Sequence, residues 1–186
     1  MEDHGRKLSR NLQYGFTIHV CVLRPNSRGR VSLKSASPTD DPEIELNLLE
    51  KQADMDCLIL GVKRVREIIQ SPELSRYAGV EYLPGSDVQG DDGLESYIRN
   101  NANHIYHPVG TCKMGVDDMA VVDNRLKVHG LEGLRVVDAS IMPTLISGNT
   151  NAPAIMIAEK AAAMILAEHS PKAQSEKSSV TEEVAV

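Results

Sequence analysis

Aromatic side chains are scarce in this chain, which has no tryptophan, one phenylalanine and five tyrosines among 186 residues. Proteins that bind single-stranded nucleic acids stack the bases on aromatic side chains, so this class is disfavoured. The net charge also disfavours nucleic-acid binding, because 26 acidic residues against 20 lysines and arginines give a net charge of −6. A net acidic chain is a poor partner for nucleic acids and for anionic membranes.

Cysteine is also rare, and its pattern excludes two further classes of protein. Cys21, Cys57 and Cys112 are an odd number at wide spacing, with no CxxC pair. They therefore predict neither a disulfide framework nor a structural zinc site, and they favour a reducing compartment.

Long apolar runs are missing as well. No run approaches the ~20 residues that a membrane helix needs, and residues 1–11 are polar, without the apolar core of a signal peptide. We therefore expect a protein that is cytoplasmic or peripheral to a membrane, with no integral membrane segment.

The periodicity of the apolar residues, 41% of the chain, predicts both helices and strands. Helical patterns cover residues 48–70, 91–101 and 151–167, and Pro72 is expected to open a short helical turn. Alternating patterns predict strands at residues 15–23, 31–34, 43–47, 80–83 and 134–138, the first two of them as a hairpin. Residues 1–14 and 169–186 are polar and are predicted to be flexible.

Two histidines stand in a segment suited to proton transfer. His104 and His107 lead into HPVGTCKMG (107–115), in which Pro108 fixes the backbone next to His107. An imidazole on a rigid, glycine-flanked loop is a good general base or acid near neutral pH. A turn with a surface histidine is the alternative. A metal site made of His104, His107 and Cys112 is a third reading, but that spacing matches no zinc pattern, so no metal is predicted.

Two further segments carry polar residues at positions typical of ligand sites. SGNTNAP (147–153) precedes a predicted helix, and a helix N-terminus offers free N–H groups and a partial positive charge. VVDASIMP (136–143) places Asp138 at the end of a predicted strand, where α/β proteins often bind ligands. Simple alternatives exist for both, since Asn is a common N-cap and Asp a common turn residue.

In this order and spacing, the three segments resemble the C-terminal portion of the glucose–methanol–choline (GMC) oxidoreductases, and choline dehydrogenase-like members in particular. The similarity also includes GFTIHVCVLRPNSRGRVSL (15–33) and extends to about residue 166.

The resemblance implies an α+β fold: a mostly antiparallel sheet flanked by helices forms the substrate domain, and a final strand and helix belong to the FAD domain. It divides the chain into a flexible segment (1–14), a substrate-binding domain with the catalytic loop 104–115 (15–133), a strand and helix that complete the flavin site (134–168), and a disordered tail (169–186).

The resemblance also implies chemistry. GMC enzymes use FAD to oxidise alcohols: His107 matches the residue that takes the hydroxyl proton while a hydride passes from the CH–OH carbon to flavin N5. Asn149 matches the second active-site position, which is His or Asn in the family. Asp138 and Ala139 match one segment that contacts the flavin, and a second such segment comprises Asn151, Ala152 and Pro153.

One family feature is not found in this sequence, the GxGxxG loop that binds the ADP part of FAD. We therefore expect a C-terminal piece that needs an N-terminal FAD-binding half and is inactive by itself; the alternative is an incompetent remnant or interaction module with the same fold. The expected substrate is a small alcohol. The electron acceptor is either oxygen or a quinone, and the sequence does not choose between them. It also does not choose between a dehydrogenase and an oxidase or define the oligomeric state.

Overall fold

The structure is a computed structural model that describes residues 15–170, together with the backbone of two short strands further upstream. The flexible ends predicted for residues 1–14 and 169–186 therefore lie almost entirely outside the described residues. The exceptions are the two upstream strands and residues 169–170 at the end of the last helix.

Four strands, four α-helices and one 3₁₀ helix make up the described elements. The strands are β1 (Glu2–Asp3), β2 (Arg6–Lys7), β3 (Arg30–Ser32) and β4 (Glu43–Glu45). The α-helices are α1 (Gln52–Ile69), α2 (Pro72–Ser75), α3 (Gly90–Asn101) and α4 (Asn151–Glu168), and the 3₁₀ helix is Ala139–Ile141. The predicted helices and the short turn opened by Pro72 are confirmed. No helix among the described residues is both long and apolar enough to cross a membrane.

The chain divides into two compact units. Among residues 15–170, one unit contains residues 15–22 and 47–103, and the other contains residues 23–46 and 104–170. In the first unit, α1 and α3 pack together because each carries an apolar stripe at helical spacing. Met55 and Ile59 of α1 are buried against Leu94 and Ile98 of α3.

A glycine inside α1 marks a close approach by the preceding chain. A methyl group on Gly61 would overlap Cγ1 of Val20, and a valine side chain has little rotamer freedom with which to yield. Glycine at this position lowers the stability of the helix by roughly 1 kcal/mol relative to alanine, but it leaves the space that Val20 occupies.

A half-buried ion pair organises the end of the first unit. Arg66 of α1 makes a bidentate contact with Glu81, with Arg66 Nη2 at 2.8 Å from Glu81 Oε1. The same nitrogen donates to the carbonyl of Val88 at 3.0 Å. The guanidinium thus fastens the connection between α2 and α3 to α1.

The second unit contains the β3–β4 pair and a core built around α4. β3 and β4 are antiparallel, with Val31 opposite Ile44 and an ion pair between Arg30 and Glu45 at 2.9 Å. The core of this unit consists of buried apolar side chains from the loop 122–142 and from α4: Val122, Leu126, Ile141, Met142, Ile157 and Ala161.

Three predicted strands are wrong. Residues 15–23 form no ladder within the described chain, and β3 pairs with β4 instead of with them. Alternation predicts an extended apolar face but does not identify the strand that pairs with it. Residues 80–83 run into a turn that includes Pro84 and Gly85, and the side chain of Glu81 is held by Arg66 rather than by a ladder.

The predicted strand 134–138 shrinks to a single bridge, between Lys127 and Arg135. A turn at Gly133, which has a φ of +74°, cuts the ladder on one side, and the 3₁₀ helix beginning at Ala139 ends it on the other. The α+β class is nevertheless confirmed, because paired antiparallel strands and helices occur in the same chain.

A cluster of three cations holds the last turn of α4. Glu168 contacts Arg125 and Arg135 at 2.6 Å each and Lys127 at 3.2 Å. The hydrogen bonds from Arg125, and then those from Arg135, lower the pKa of Glu168 from 4.5 to about 2.

This cluster predicts a specific pH dependence of stability. Because the folded-state pKa of Glu168 lies below its unfolded value, its contribution is complete above about pH 4.5 and is lost as the pH falls towards about 2. Glu168→Gln should therefore unfold at lower urea concentration than the parent at pH 7, and the gap should narrow steadily below pH 4.5. Glu159→Gln, at an exposed position of the same helix, is the control. A gap that is constant with pH would contradict the prediction.

Candidate active site

His107 lies in a loop whose backbone is tightly constrained. The preceding residue, Tyr106, has a φ of +64°, an uncommon conformation for a bulky residue, and Pro108 restricts the following position. Strain of this kind persists only where the surroundings hold it, and it is frequent at functional sites. The loop is thus built to present His107 in one direction.

Backbone contacts fix the rest of this loop against the 3₁₀ segment. Gly110 has a φ of +86°, and an added methyl group would come within 3.2 Å of the carbonyl oxygen of Met142. The N–H of Cys112 donates to Ser140 O at 3.0 Å, and that of Met114 donates to Ile141 O at 2.8 Å. The loop that begins at His107 is therefore held by backbone hydrogen bonds to the 3₁₀ helix that follows Asp138.

The segment before α4 is held at its start by a side-chain contact. Arg24 Nε donates to Ser147 Oγ at 2.6 Å. Gly148 follows with open space where a Cβ would lie, and Asn149 is exposed. Asn149 and Thr150, the two residues directly before α4, therefore lie close in sequence to Ser147, which Arg24 holds in place.

The structure brings His107 and this segment together. His107 Nε2 lies 3.1 Å from Asn149 Oδ1, and His107 Nδ1 lies 2.9 Å from Thr150 Oγ1. The imidazole is half-buried and Asn149 is exposed. An imidazole and a carboxamide, 42 residues apart in sequence, therefore share one accessible edge where a hydroxyl group can bind both.

Thr150 is the site residue that sequence reasoning missed. Its hydroxyl is the second partner of the His107 ring, yet in the sequence it stands between two asparagines at a helix start, where Thr usually caps the helix. The signal that could have pointed to it is Pro153, because a proline in the first turn removes one of the N–H groups that a cap would bind.

Asp138 and Ala139 lie at the start of the 3₁₀ helix. Asp138 Oδ1 accepts a hydrogen bond from the N–H of Ser140 at 2.7 Å, so this carboxylate caps the turn. Ala139 is half-buried and packs against the core of the second unit. The alternative interpretation of Asp138, as a turn residue, therefore agrees with the structure.

The start of α4 presents unpaired N–H groups. The first N–H groups of an α-helix have no acceptor within the helix. Pro153 has no N–H and Ala154 donates to Thr150 O, so the groups that remain are those of Asn151 and Ala152, both exposed. These donors, next to Asn149 and with the positive end of the helix dipole, fit an electron-rich, anionic ring edge such as that of a reduced flavin.

His104, His107 and Cys112, the residues of the alternative metal site, do not form a metal-binding cluster. Within residues 15–170 there is no group of three or more His, Cys, Asp or Glu side chains that could hold a metal ion. His104 instead accepts a hydrogen bond from the N–H of Tyr106 at 3.2 Å and meets the Tyr106 ring edge-on, with centroids 4.9 Å apart.

Comparison with known proteins identifies the class. The family model described as GMC oxidoreductase matches residues 25–158, and the chain belongs to this family. The resemblance seen in the sequence is thereby confirmed. Among curated relatives, an alcohol dehydrogenase [acceptor] of Pseudomonas putida is 51% identical over 166 residues, which are 89% of this chain and 30% of the relative. An oxygen-dependent choline dehydrogenase of Pseudomonas fluorescens is 51% identical over 150 residues, 81% of this chain and 26% of the relative.

Solved structures of the same family share the fold. Pyridoxine 4-oxidase from Mesorbium loti matches with a TM-score of 0.74 and 33% identity, over 80% of this chain and 29% of that one. An FAD-dependent oxidoreductase from Chaetomium thermophilum matches with a TM-score of 0.75 and 33% identity, over 79% and 26%. The chain thus spans less than a third of the length of these relatives.

Proposed function

We propose that this chain is the substrate-binding and catalytic portion of an FAD-dependent enzyme that oxidises a small alcohol to a carbonyl compound, as the names of its relatives suggest. The observation that carries the proposal is the convergence of His107 and Asn149 on one accessible edge. The donor set supports this substrate class, because an imidazole and a carboxamide can each hydrogen-bond a hydroxyl group.

In this proposal, His107 is the general base. Removing a hydrogen with its electron pair from the alcohol carbon is easier once the hydroxyl has begun to lose its proton. The imidazole accepts this proton at Nε2, the ring nitrogen on the exposed side, next to Asn149. The constrained backbone at Tyr106 and Pro108 holds the ring in place before the alcohol arrives.

Asn149 orients the same alcohol. Its carboxamide nitrogen donates a hydrogen bond to the alcohol oxygen and stabilises the negative charge that develops there as His107 takes the proton. Two contacts on one oxygen also fix the direction of the C–H bond on the reacting carbon.

The donors at the start of α4 would hold the flavin. When bound, FAD supplies the isoalloxazine ring that accepts the electrons of the alcohol. The N–H groups of Asn151 and Ala152 and the helix dipole favour negative charge at the ring edge. Pro153 fixes the first turn of the helix, and Asp138 and Ala139 form the second candidate contact segment.

A further FAD-binding half is part of the proposal, and the surface of α4 supports it. Ile155, Met156 and Leu166 are 56%, 54% and 72% exposed, although the helix also buries Ile157 and Ala161. These exposed apolar side chains lie beside the charged Glu159 and Lys160, and apolar patches with polar neighbours of this kind are typical of surfaces that another part of a protein covers. By itself, the chain is expected to bind FAD weakly and to turn over no alcohol.

The test is a joined protein in which this chain replaces the matched segment of the Pseudomonas putida alcohol dehydrogenase [acceptor]. We expect it to retain FAD and to lose its yellow colour under anaerobic conditions when mixed with some members of a panel of primary and aliphatic alcohols that includes choline. Retained FAD that no alcohol bleaches would favour the incompetent remnant. Readmitted oxygen or an added quinone then distinguishes an oxidase from a dehydrogenase.

The exposed face of α4 gives a second prediction for the joined protein. Ile155→Glu should lower the fraction of FAD retained through gel filtration, because burying an isoleucine contributes roughly 1.5–3 kcal/mol and a carboxylate there has no partner. Lys160→Glu introduces the same carboxylate at an exposed polar position of the helix and should leave retention unchanged. Equal retention in both variants would contradict a buried role for this face.

A further inference from the structure

We propose that Thr150 is a positioning residue that lets His107 offer an unprotonated Nε2 to the alcohol; this inference rests on the proposed function. Thr150 Oγ1 lies 2.9 Å from His107 Nδ1, and Asn149 Oδ1 lies 3.1 Å from His107 Nε2. Asn149 Oδ1 can only accept, so this contact belongs to the tautomer with its proton on Nε2, in which Thr150 donates to Nδ1. In the tautomer that acts as the base, Thr150 Oγ1 accepts from Nδ1–H and the alcohol hydroxyl takes the place of Asn149 Oδ1 at Nε2.

The hydroxyl of Thr150 is available for this role because it does not cap the helix. Thr150 is the N-cap of α4, but its side chain makes no capping hydrogen bond. A cap normally accepts from the N–H of the second or third helical residue. The third residue is Pro153, which has no N–H, and the hydroxyl is instead directed to His107.

The two edges of the ring differ in their access to solvent. The contact between Nδ1 and Thr150 is partly buried, and the contact between Nε2 and Asn149 is exposed. A substrate therefore reaches His107 from the Nε2 side, and Nδ1 depends on the protein for its partner.

The chemistry of the hydroxyl explains why this partner matters. A neutral imidazole carries one N–H, so a base that accepts a proton at Nε2 must hold its own proton at Nδ1. Thr150 Oγ1 can accept from that Nδ1–H. In the other tautomer the proton is on Nε2, and Nε2–H donates to Asn149 Oδ1. The Thr150 hydroxyl then donates to Nδ1. When the alcohol O–H bond breaks and the Nε2–H bond forms, the ring becomes an imidazolium, and Nδ1–H keeps its acceptor.

A methyl group in place of the hydroxyl would disfavour only one of these tautomers strongly. A partly buried N–H without an acceptor is costly, whereas the tautomer with a proton on Nε2 keeps its partner Asn149. Thr150→Val should therefore shift the equilibrium away from the tautomer with a proton on Nδ1 by roughly tenfold.

The experiment uses the whole 186-residue chain with its histidine rings labelled with ¹⁵N. The His107 signals are identified by their loss in His107→Gln, and the ring-nitrogen shifts of the neutral form report which nitrogen carries the proton. We expect both tautomers in the parent, a roughly tenfold smaller ratio of the Nδ1–H to the Nε2–H tautomer in Thr150→Val, and recovery of the ratio in Thr150→Ser. Thr150→Ala repeats the test without a branched side chain at the helix start.

A parent ring with no proton at Nδ1, or a tautomer ratio unchanged in both Thr150→Val and Thr150→Ala, would overturn the inference. In the joined protein, Thr150→Val should slow flavin reduction by a similar factor with little change in KM, and Thr150→Ser should restore the rate. If the tautomer shift is present but the joined protein oxidises no alcohol, the proposed function fails and the role of Thr150 in holding the ring stands.

Discussion

Replacing His107 with alanine should slow anaerobic flavin reduction in the joined protein by roughly two to four orders of magnitude, the usual contribution of a positioned general base. His107 is the titratable side chain at the shared edge, with Nε2 3.1 Å from Asn149. Without it, the alcohol proton must leave to water. FAD retention should not change, because the imidazole contacts the alcohol in this proposal and not the cofactor. Stopped-flow absorbance of the flavin gives the rate.

A histidine far from the shared edge supplies the control. His169, the residue directly after α4, is exposed, so His169→Ala removes an imidazole and leaves the site intact. It should reduce flavin at the parent rate. A His107→Ala protein that keeps the full rate would remove His107 from the mechanism, and a loss of FAD in this variant would point to a structural role.

Helices were predictable from the sequence because their pattern is local. The apolar stripe of α1 repeats at helical spacing over 18 residues, and its members Met55 and Ile59 are buried as that spacing requires. Pro72 likewise marks the first position of α2. Such signals depend on neighbouring residues and not on the rest of the fold.

Strand pairing was less predictable because it depends on a distant partner. Residues 15–23 alternate as a strand does, yet within the described chain Val20 packs against Gly61 and no ladder forms. β3 was expected to pair with the chain before it but pairs with β4 after it. Alternation is equally compatible with either partner.

The candidate active site also combines local features, which the sequence predicts, with long-range contacts, which it does not. The sequence singled out His107 and Asn149 because each stands in a segment of unusual composition, but only the resemblance linked them, and the distance between them comes from the structure. Thr150 was overlooked because a threonine directly before a helix is typical of a cap, and only Pro153 in the first turn indicates otherwise. Its hydroxyl is redirected by the combination of Pro153 and an imidazole 43 residues away in sequence.

Replacing Asn149 with alanine should slow flavin reduction by roughly a hundredfold, as the loss of one donor to a developing negative charge does elsewhere. Asn149→His provides a matched comparison, because the family resemblance allows either residue at this position, and it should keep more activity than Asn149→Ala. Flavin reduction under anaerobic conditions measures both. Equal rates for Asn149→Ala and the parent would contradict a donor role.

The double variant His107→Ala, Asn149→Ala tests whether the two side chains act on one oxygen. Independent effects would multiply to roughly four to six orders of magnitude. We expect a loss close to that of His107→Ala alone, because the carboxamide stabilises a negative charge that develops only when the base removes the proton. A fully multiplicative loss would mean that His107 and Asn149 serve separate steps, despite the 3.1 Å between them.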